Sequence, residues 1–161
     1  MNAKAPTARR ESLETIIDEG NIHGWLSMAV ERCEQRFALT VCGILENHPE
    51  RMDEMKNVMK SLGEVNGFPT ATDAEEAFQA LHDILLDGMP CDFPFNMAET
   101  SAESVSWQVA SCPHTSYWSG SVCGVEAYYQ LRDAWMDGAL EGSGFNHMRP
   151  ELYSHMLRKG K

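Results

Sequence analysis

The stretch SVSWQVA, Ser104–Ala110, alternates polar and apolar side chains with a period of two. Val105, Trp107 and Val109 share one face, while serine and glutamine side chains occupy the other. Such alternation is typical of a half-buried β-strand. It predicts a strand over Val105–Ser111 with Trp107 turned inward. A strand at this position argues against an all-helical fold.

Two further strands are predicted beside the first. Cys91–Met97 is the expected antiparallel partner, joined to it through the polar turn Glu99–Ser101. Thr115–Ser119, which follows a Cys-Pro-His turn, is expected to add a short third strand. These segments together predict a small antiparallel sheet.

The segments before the sheet have the period of helices. Apolar residues recur at steps of three and four over Ile22–Glu46, which predicts a long helix with one buried face. A second helix is expected to open at Pro49 and to stop at Gly63. Its expected buried row is Met52, Met55, Met59 and Leu62.

Three more helices complete the predicted architecture. The spacing of Thr72 and Glu75 fits a capping box, which predicts a helix over residues 74–85. An aromatic stripe predicts a helix over residues 125–140, and Pro150 is expected to begin a last short helix. The sequence therefore predicts an α+β fold, in which a helical N-terminal part packs on a small antiparallel β-sheet, with a C-terminal helix.

Length and composition indicate one folded domain. The chain has 161 residues, of which 43% are apolar and 23% charged, close to the average of globular proteins. Residues 1–11 are expected to form a polar arm, and residues 12–161 a single α+β domain. The formal charge of -11 would repel a phosphate backbone, so nucleic acid is not an expected partner.

The sequence predicts a cytoplasmic protein. Residues 1–11 lack the apolar core of a secretion signal, and no stretch is apolar enough for a membrane span, so a membrane is not an expected partner. Five cysteines without regular spacing favour reduced thiols over disulfides. Cys33 and Cys42 lie on or beside the apolar face of the long helix, where we expect both to be buried as small hydrophobic residues.

The remaining cysteines surround the first candidate site. Cys91, Cys112, His114 and Cys123 fall within about 33 residues, and they could supply a tetrahedral Cys3His zinc site. The same set could hold an iron–sulfur cluster, and haem bound by the thiolate of Cys112 is a third option. The zinc hypothesis and the iron–sulfur hypothesis both require the sulfurs of Cys112 and Cys123 to share one site.

A metal-free hypothesis uses the same residues. Cys112 would be a nucleophile, with His114 or a more distant histidine as its base. In the simplest alternative Cys112 merely ends the strand, Cys123 packs under the following helix, and His114 is solvated.

Aromatic residues suggest a pocket for a small organic ligand next to these cysteines. Arg132 lies on the same helical stripe as Tyr128, so we expect it to be at least partly buried and directed at a carboxylate of the protein or of a ligand. Trp118 and His23 are further candidate ligand-binding residues.

The order of parts carries a family resemblance. Gly24 and Trp25 start a helix, a strand ends in Cys112-Pro113, and Cys123 opens a later helix. In these features the chain resembles the L-2-amino-thiazoline-4-carboxylic acid hydrolase-like family and related uncharacterised anaerobe proteins, over most of its length. The resemblance implies hydrolysis of a cyclic amidine-like C–N bond.

Two functions therefore follow from the sequence. In the first, a Cys/His site beside an aromatic pocket performs hydrolase-like chemistry or binds a small molecule, with or without a metal. In the second, the protein is a non-catalytic accessory subunit of a larger enzyme complex, with structural cysteines. An oligomer is compatible with either function.

Overall fold

The computed structural model describes residues 10–68, 70–87, 95–119 and 123–160. Six helices and four strands make up this part of the chain, and they confirm the predicted α+β class. The helices are α1 (Leu13–Ile16), α2 (Ile22–Asn47), α3 (Met52–Val65), α4 (Ala74–His82), α5 (Thr115–Trp118) and α6 (Gly124–Ala139). The strands are β1 (Phe95–Thr100), β2 (Ser104–Val109), β3 (Phe145–Glu151) and β4 (Ser154–Lys159), and a 3-10 turn over Pro49–Arg51 precedes α3.

The four strands form one antiparallel sheet in the order β1-β2-β4-β3. The predicted strand is confirmed as β2, where Val105 is fully buried and Trp107 is 1% exposed. Its predicted partner is confirmed for the residues that the structure describes, since Met97 pairs with Trp107. β1 continues through Thr100, which the sequence assigned to the turn.

The C-terminal helix predicted from Pro150 is wrong, because β3 and β4 form a hairpin there. Phe145, His147 and Arg149 alternate with exposed residues, so the segment has the period of a strand. β3 lies at the edge of the sheet and its pairing shifts after Met148, and an edge or a bulge is where a strand tolerates proline.

The predicted third strand at Thr115–Ser119 is also wrong. The residues form the single helical turn of α5, in which the Ser119 N–H donates to the Thr115 carbonyl oxygen. The segment was too short for its period to separate helix from strand.

Both ends of α4 differ from the predicted positions. α4 is capped by Asp73, whose side chain accepts from the Glu76 N–H, while Glu76 accepts from the backbone and hydroxyl of Thr72. The capping residues are thus one position beyond the expected pair. The helix itself ends at His82, before the predicted residue 85.

Gly63 does not stop α3 but lies inside it, against α6. A Cβ atom at Gly63 would overlap the Trp135 carbonyl oxygen and lie 2.8 Å from the Ala139 nitrogen. A Cβ atom at Gly138 would likewise overlap the Lys60 carbonyl oxygen. The two helices therefore touch backbone to backbone, which only glycine permits at both positions.

α6 separates two groups of buried side chains and contributes to both. One group lies between α4, α6 and the sheet, and it contains Leu81, Trp107, Met136 and Leu157. The other lies between α2, α5 and α6, and it contains Val41, Trp118, Tyr129 and Leu131. Functional side chains on α6 are therefore placed at the centre of the fold.

A disulfide joins Cys42 on α2 to Cys123 at the start of α6, with Cα atoms 5.6 Å apart. The prediction of reduced thiols is wrong for this pair, because the two cysteines are 81 residues apart and no local spacing reveals their contact. Cys42 is buried as expected, whereas Cys33 is exposed and Cys112 is a half-buried free thiol.

No helix in the described part of the chain combines the length and the apolarity needed to cross a membrane.

Reduction of the disulfide should cost about 4 kcal/mol of unfolding free energy, because the bond closes a loop of 81 residues in the unfolded chain. Urea unfolding with and without a phosphine reductant measures the difference. The exposed Cys33 provides the control, since Cys33→Ser should leave both curves unchanged. Identical curves for oxidised and reduced protein would contradict the expectation.

Substitution of Gly63 should separate α3 from α6. Gly63→Ala is expected to destabilise the protein by about 3 kcal/mol, because its methyl group meets backbone that cannot move aside. Gly43→Ala on α2 is the matched control, since nothing lies within 4 Å of its added Cβ and alanine favours a helix. Thermal unfolding should show a large loss for the first variant and no loss for the second.

Candidate functional site

Arg132 lies at the centre of the candidate site. Its side chain projects from the buried face of α6, and the residue is 5% exposed. Nη2 donates to Asp87 Oδ2, which confirms the prediction of a buried arginine directed at a carboxylate. Nε and Nη1 have no hydrogen-bond partner among the described residues. Three N–H groups of this guanidinium thus lack an acceptor.

Asp87 follows α4 and is shared by two cations. Burial alone would raise the pKa of its carboxyl group, but Arg132 and then His114 hold that pKa well below its usual range. The carboxylate is therefore charged across the physiological pH range. His82 Nε2 lies 3.7 Å from the same carboxylate.

His114 is buried, not solvated, with 3% of its surface exposed. Its Nδ1 lies 2.9 Å from Glu34 Oε1 on α2, and its Nε2 lies 3.5 Å from Asp87 Oδ1. Its ring stacks on Tyr128 at 3.9 Å between centroids. Burial alone would lower the pKa of His114, but Asp87 and Glu34 raise it to about 9. The ring is thus an imidazolium at neutral pH.

The four residues of the predicted metal site have different surroundings. Cys91 lies outside the described residues, and Cys123 is bonded to Cys42. Cys112 accepts a hydrogen bond of 3.3 Å from the Tyr129 hydroxyl group. As an imidazolium, His114 has no lone pair for a metal or for a proton from Cys112. Cys112 and Cys123 both pack against the second group of buried side chains.

A cavity of about 370 Å³ opens beside Arg132. Arg132 and Tyr128 line it, and so do Phe37 from α2, Met59 from α3 and Trp135 from α6. The rest of its described lining is Asn66, Ile84, Leu85 and Leu86. Arg132 and Tyr128, two of the predicted ligand-binding residues, thus line one cavity, but none of the cysteines in the described part of the chain lines it.

Two of the predicted ligand-binding residues lie elsewhere. Trp118 is fully buried, packed against Phe37 and Tyr128 at ring distances of 5.5 and 5.6 Å, and does not line the cavity. His23 is exposed in the first turn of α2, and no described contact joins it to Arg132 or His114.

A second polar cluster lies between α6 and the β3–β4 hairpin. It contains Asp133, His147 and His155, whose ligand atoms all lie within 4.8 Å of one another. Burial, and then Arg132, lower the pKa of His147 to about 3 and that of His155 to about 2, so both rings are neutral. Burial also raises the pKa of Asp133, although Arg149 opposes that shift.

This cluster was not predicted from the sequence. A helix was predicted from Pro150 onward, and a helix does not place His155 and Leu157 on one inward face, as the strand β4 does. A period of two across β3 and β4 was the signal that could have identified inward-facing histidines on neighbouring strands.

In comparisons with known proteins, no family model, no curated protein and no solved structure matches the chain. The resemblance to the L-2-amino-thiazoline-4-carboxylic acid hydrolase-like family therefore stays a prediction.

The charge on His114 should make stability depend on pH. Because the folded pKa of about 9 lies above the ordinary value of 6.5, its ion pairs contribute fully below pH 6.5 and are lost as pH rises through 9. The unfolding free energy of the wild type relative to His114→Gln should fall by about 3 kcal/mol over this interval. Urea unfolding of both proteins between these pH values measures it, and a constant difference would contradict the assignment.

Proposed function

We propose that this protein binds a small organic anion with an apolar body, in the cavity beside Arg132. The observation that carries the proposal is the guanidinium of Arg132, in which Nε and Nη1 are buried without a partner among the described residues. A buried donor without an acceptor costs about 1–3 kcal/mol, and more when the group is charged. A bound carboxylate would remove this cost.

The ion pairs around Arg132 leave part of its guanidinium open to an anion. Asp87 neutralises Arg132 through Nη2 alone, and it also lies between Arg132 and His114. His114 in turn has a second carboxylate, Glu34, on its other side. The two cations and the two carboxylates balance in charge, so it is the unpaired N–H groups of Arg132, and not a net positive charge, that favour an anionic acceptor at the guanidinium.

The remaining cavity walls suit the apolar part of such a ligand. The rings of Phe37, Tyr128 and Trp135 and the side chains of Met59 and Leu85 contribute mostly apolar surface. A volume of about 370 Å³ lies at the lower end of the range for small-molecule sites. Aryl or medium-chain alkyl carboxylates match both the size and the composition of the cavity.

Binding can be tested by titration calorimetry with phenylacetate, benzoate and hexanoate, with benzylamine as the cationic comparison. We expect the carboxylates to bind and benzylamine not to bind. Arg132→Met alone would leave Asp87 without its partner, so the test variant is the double substitution Arg132→Met with Asp87→Asn, in which both charges are removed. It should fold and no longer bind the carboxylates.

A matched pair of variants at the cavity wall separates binding from folding. Ile84 lines the cavity and is 44% exposed, so a charged side chain there should cost little stability. Ile84→Glu should weaken carboxylate binding by repulsion, whereas Ile84→Lys should preserve or strengthen it. Equal affinities in the two variants, or wild-type protein that binds none of the probes, would contradict the proposal.

Hydrolase-like chemistry remains a further prediction at this site. The free thiol of Cys112 is hydrogen-bonded to Tyr129, but it is not among the described residues that line the cavity. A covalent mechanism through Cys112 would therefore require a substrate that reaches beyond the cavity. The zinc and iron–sulfur predictions for the cysteine set are likewise untested.

The accessory-subunit function is the second candidate, and it is favoured by exposed apolar residues on α3. Val58, Leu62 and Val65 recur on one face of the helix and are exposed. The prediction that Leu62 belongs to the buried row is wrong, whereas Met52, Met55 and Met59 of that row pack against the second group of buried side chains. Failure of all the carboxylate probes would favour this second function.

A cytoplasmic location and an oligomeric state remain predictions under both functions.

A further inference from the structure

We propose that Asp133, His147 and His155 bind one divalent transition-metal ion, at a site separate from the Arg132 cavity. The three residues come from α6, β3 and β4, so only the folded chain brings them together. The proposal does not depend on the binding of an organic anion.

The histidines have the geometry of two neighbouring ligands. His147 Nε2 and His155 Nδ1 lie 3.1 Å apart. Two nitrogens bound to one ion, each at about 2.0–2.1 Å, are separated by about 3 Å. One ligand atom from each of Asp133, His147 and His155 lies within 4.8 Å of the other two, so small side-chain movements bring all three residues to one ion.

The alternative is a simple hydrogen bond between two neutral imidazoles. That bond would leave two buried atoms unsatisfied, since Asp133 Oδ1 and His155 Nε2 have no partner among the described residues. His155 is 1% exposed, and water therefore has little access to it. A cation coordinated by the carboxylate would satisfy Asp133 Oδ1, which the hydrogen bond between the rings does not.

A neighbouring arginine holds the carboxylate in position. Arg149 Nε donates to Asp133 Oδ2 at 2.7 Å, which leaves Oδ1 free to face the histidines. Arg149 is itself paired with Glu126, and Arg132 is paired with Asp87. Because Arg149 is shared with Glu126 and bonds only to Oδ2 of Asp133, Oδ1 of Asp133 stays open to a cation. Such support of a ligand by an outer hydrogen bond is usual in metal sites.

The ligand set defines the class of metal. Two imidazoles and one carboxylate suit zinc and the divalent ions of manganese, iron, cobalt and nickel, whereas calcium and magnesium prefer oxygen ligands. Three protein ligands leave at least one position open for water or another molecule. Of the three ligands, His147 also lines a cleft of about 710 Å³ at the C-terminal end of α6, together with Asp137 and Glu141.

The test is equilibrium dialysis of chelator-treated, full-length protein against Zn²⁺ and Co²⁺. We expect one ion per chain. Asp133→Asn and His147→Asn should each weaken binding at least about 100-fold, whereas His48→Asn, at an exposed histidine outside the cluster, should not. Cys112→Ser should also bind normally. Circular dichroism verifies that each variant is folded.

Two outcomes would overturn the proposal. One is wild-type protein that takes up no stoichiometric ion, or that binds as tightly after Asp133→Asn as after His48→Asn. The other is a sulfur-to-cobalt charge-transfer band in the Co²⁺ spectrum, which would place the ion at a cysteine. If His147→Asn fails to fold, Asp133→Asn decides the matter, because its amide has the size of the carboxylate and still offers Arg149 an oxygen acceptor.

Discussion

The buried ion pair of Arg132 and Asp87 is the constraint on which the rest of the structure depends. Removing either charge from water without its partner costs several kcal/mol, so a packing that separates them is strongly disfavoured. The pair continues through His114 to Glu34, with charges that alternate in sign. These four residues come from α6, the segment after α4, the start of α5, and α2. One chain of charges thus specifies how four distant segments meet.

The same charges divide the buried histidines into two kinds. His114 lies between two carboxylates and is cationic, whereas His147 and His155 are neutral because burial and Arg132 both oppose a positive charge. Their degree of burial is similar, so their neighbours determine the difference. The polar layer around α6 therefore has an ion-paired part beside the cavity and an uncharged part beneath the hairpin, suited to different ligands.

Local patterns predicted much of the fold. The alternation around Trp107 and the long apolar periods of α2 and α6 extend over enough residues to separate a period of two from one of 3.6. The predictions fail at short segments, such as α5, and at Pro150, which fits the start of a helix but lies in an edge strand. Gly63 fits the pattern of a helix stop, because a sequence does not show that another backbone lies against it.

The candidate site was predicted in part, for a similar reason. Arg132 and Tyr128 belong to one helical stripe, so their shared position was visible in the sequence. The partners of Arg132 and His114 were not, because Asp87 and Glu34 are 45 and 80 residues away from them along the chain. The disulfide and the cluster of Asp133 with two histidines also depend on contacts between segments, which the tertiary structure alone creates.

The backbone contact of α3 with α6, made at Gly63 and at Gly138, limits how the cavity can change. Because α3 and α6 already touch through their backbones, the two helices cannot move closer together. A larger side chain at the crossing would push them apart and lose packing. Met59 and Trp135 project into the cavity from these two fixed walls. Ligand preference can therefore diverge through the size of these two side chains while the scaffold stays the same, which makes positions 59 and 135 the natural targets for redesign of specificity.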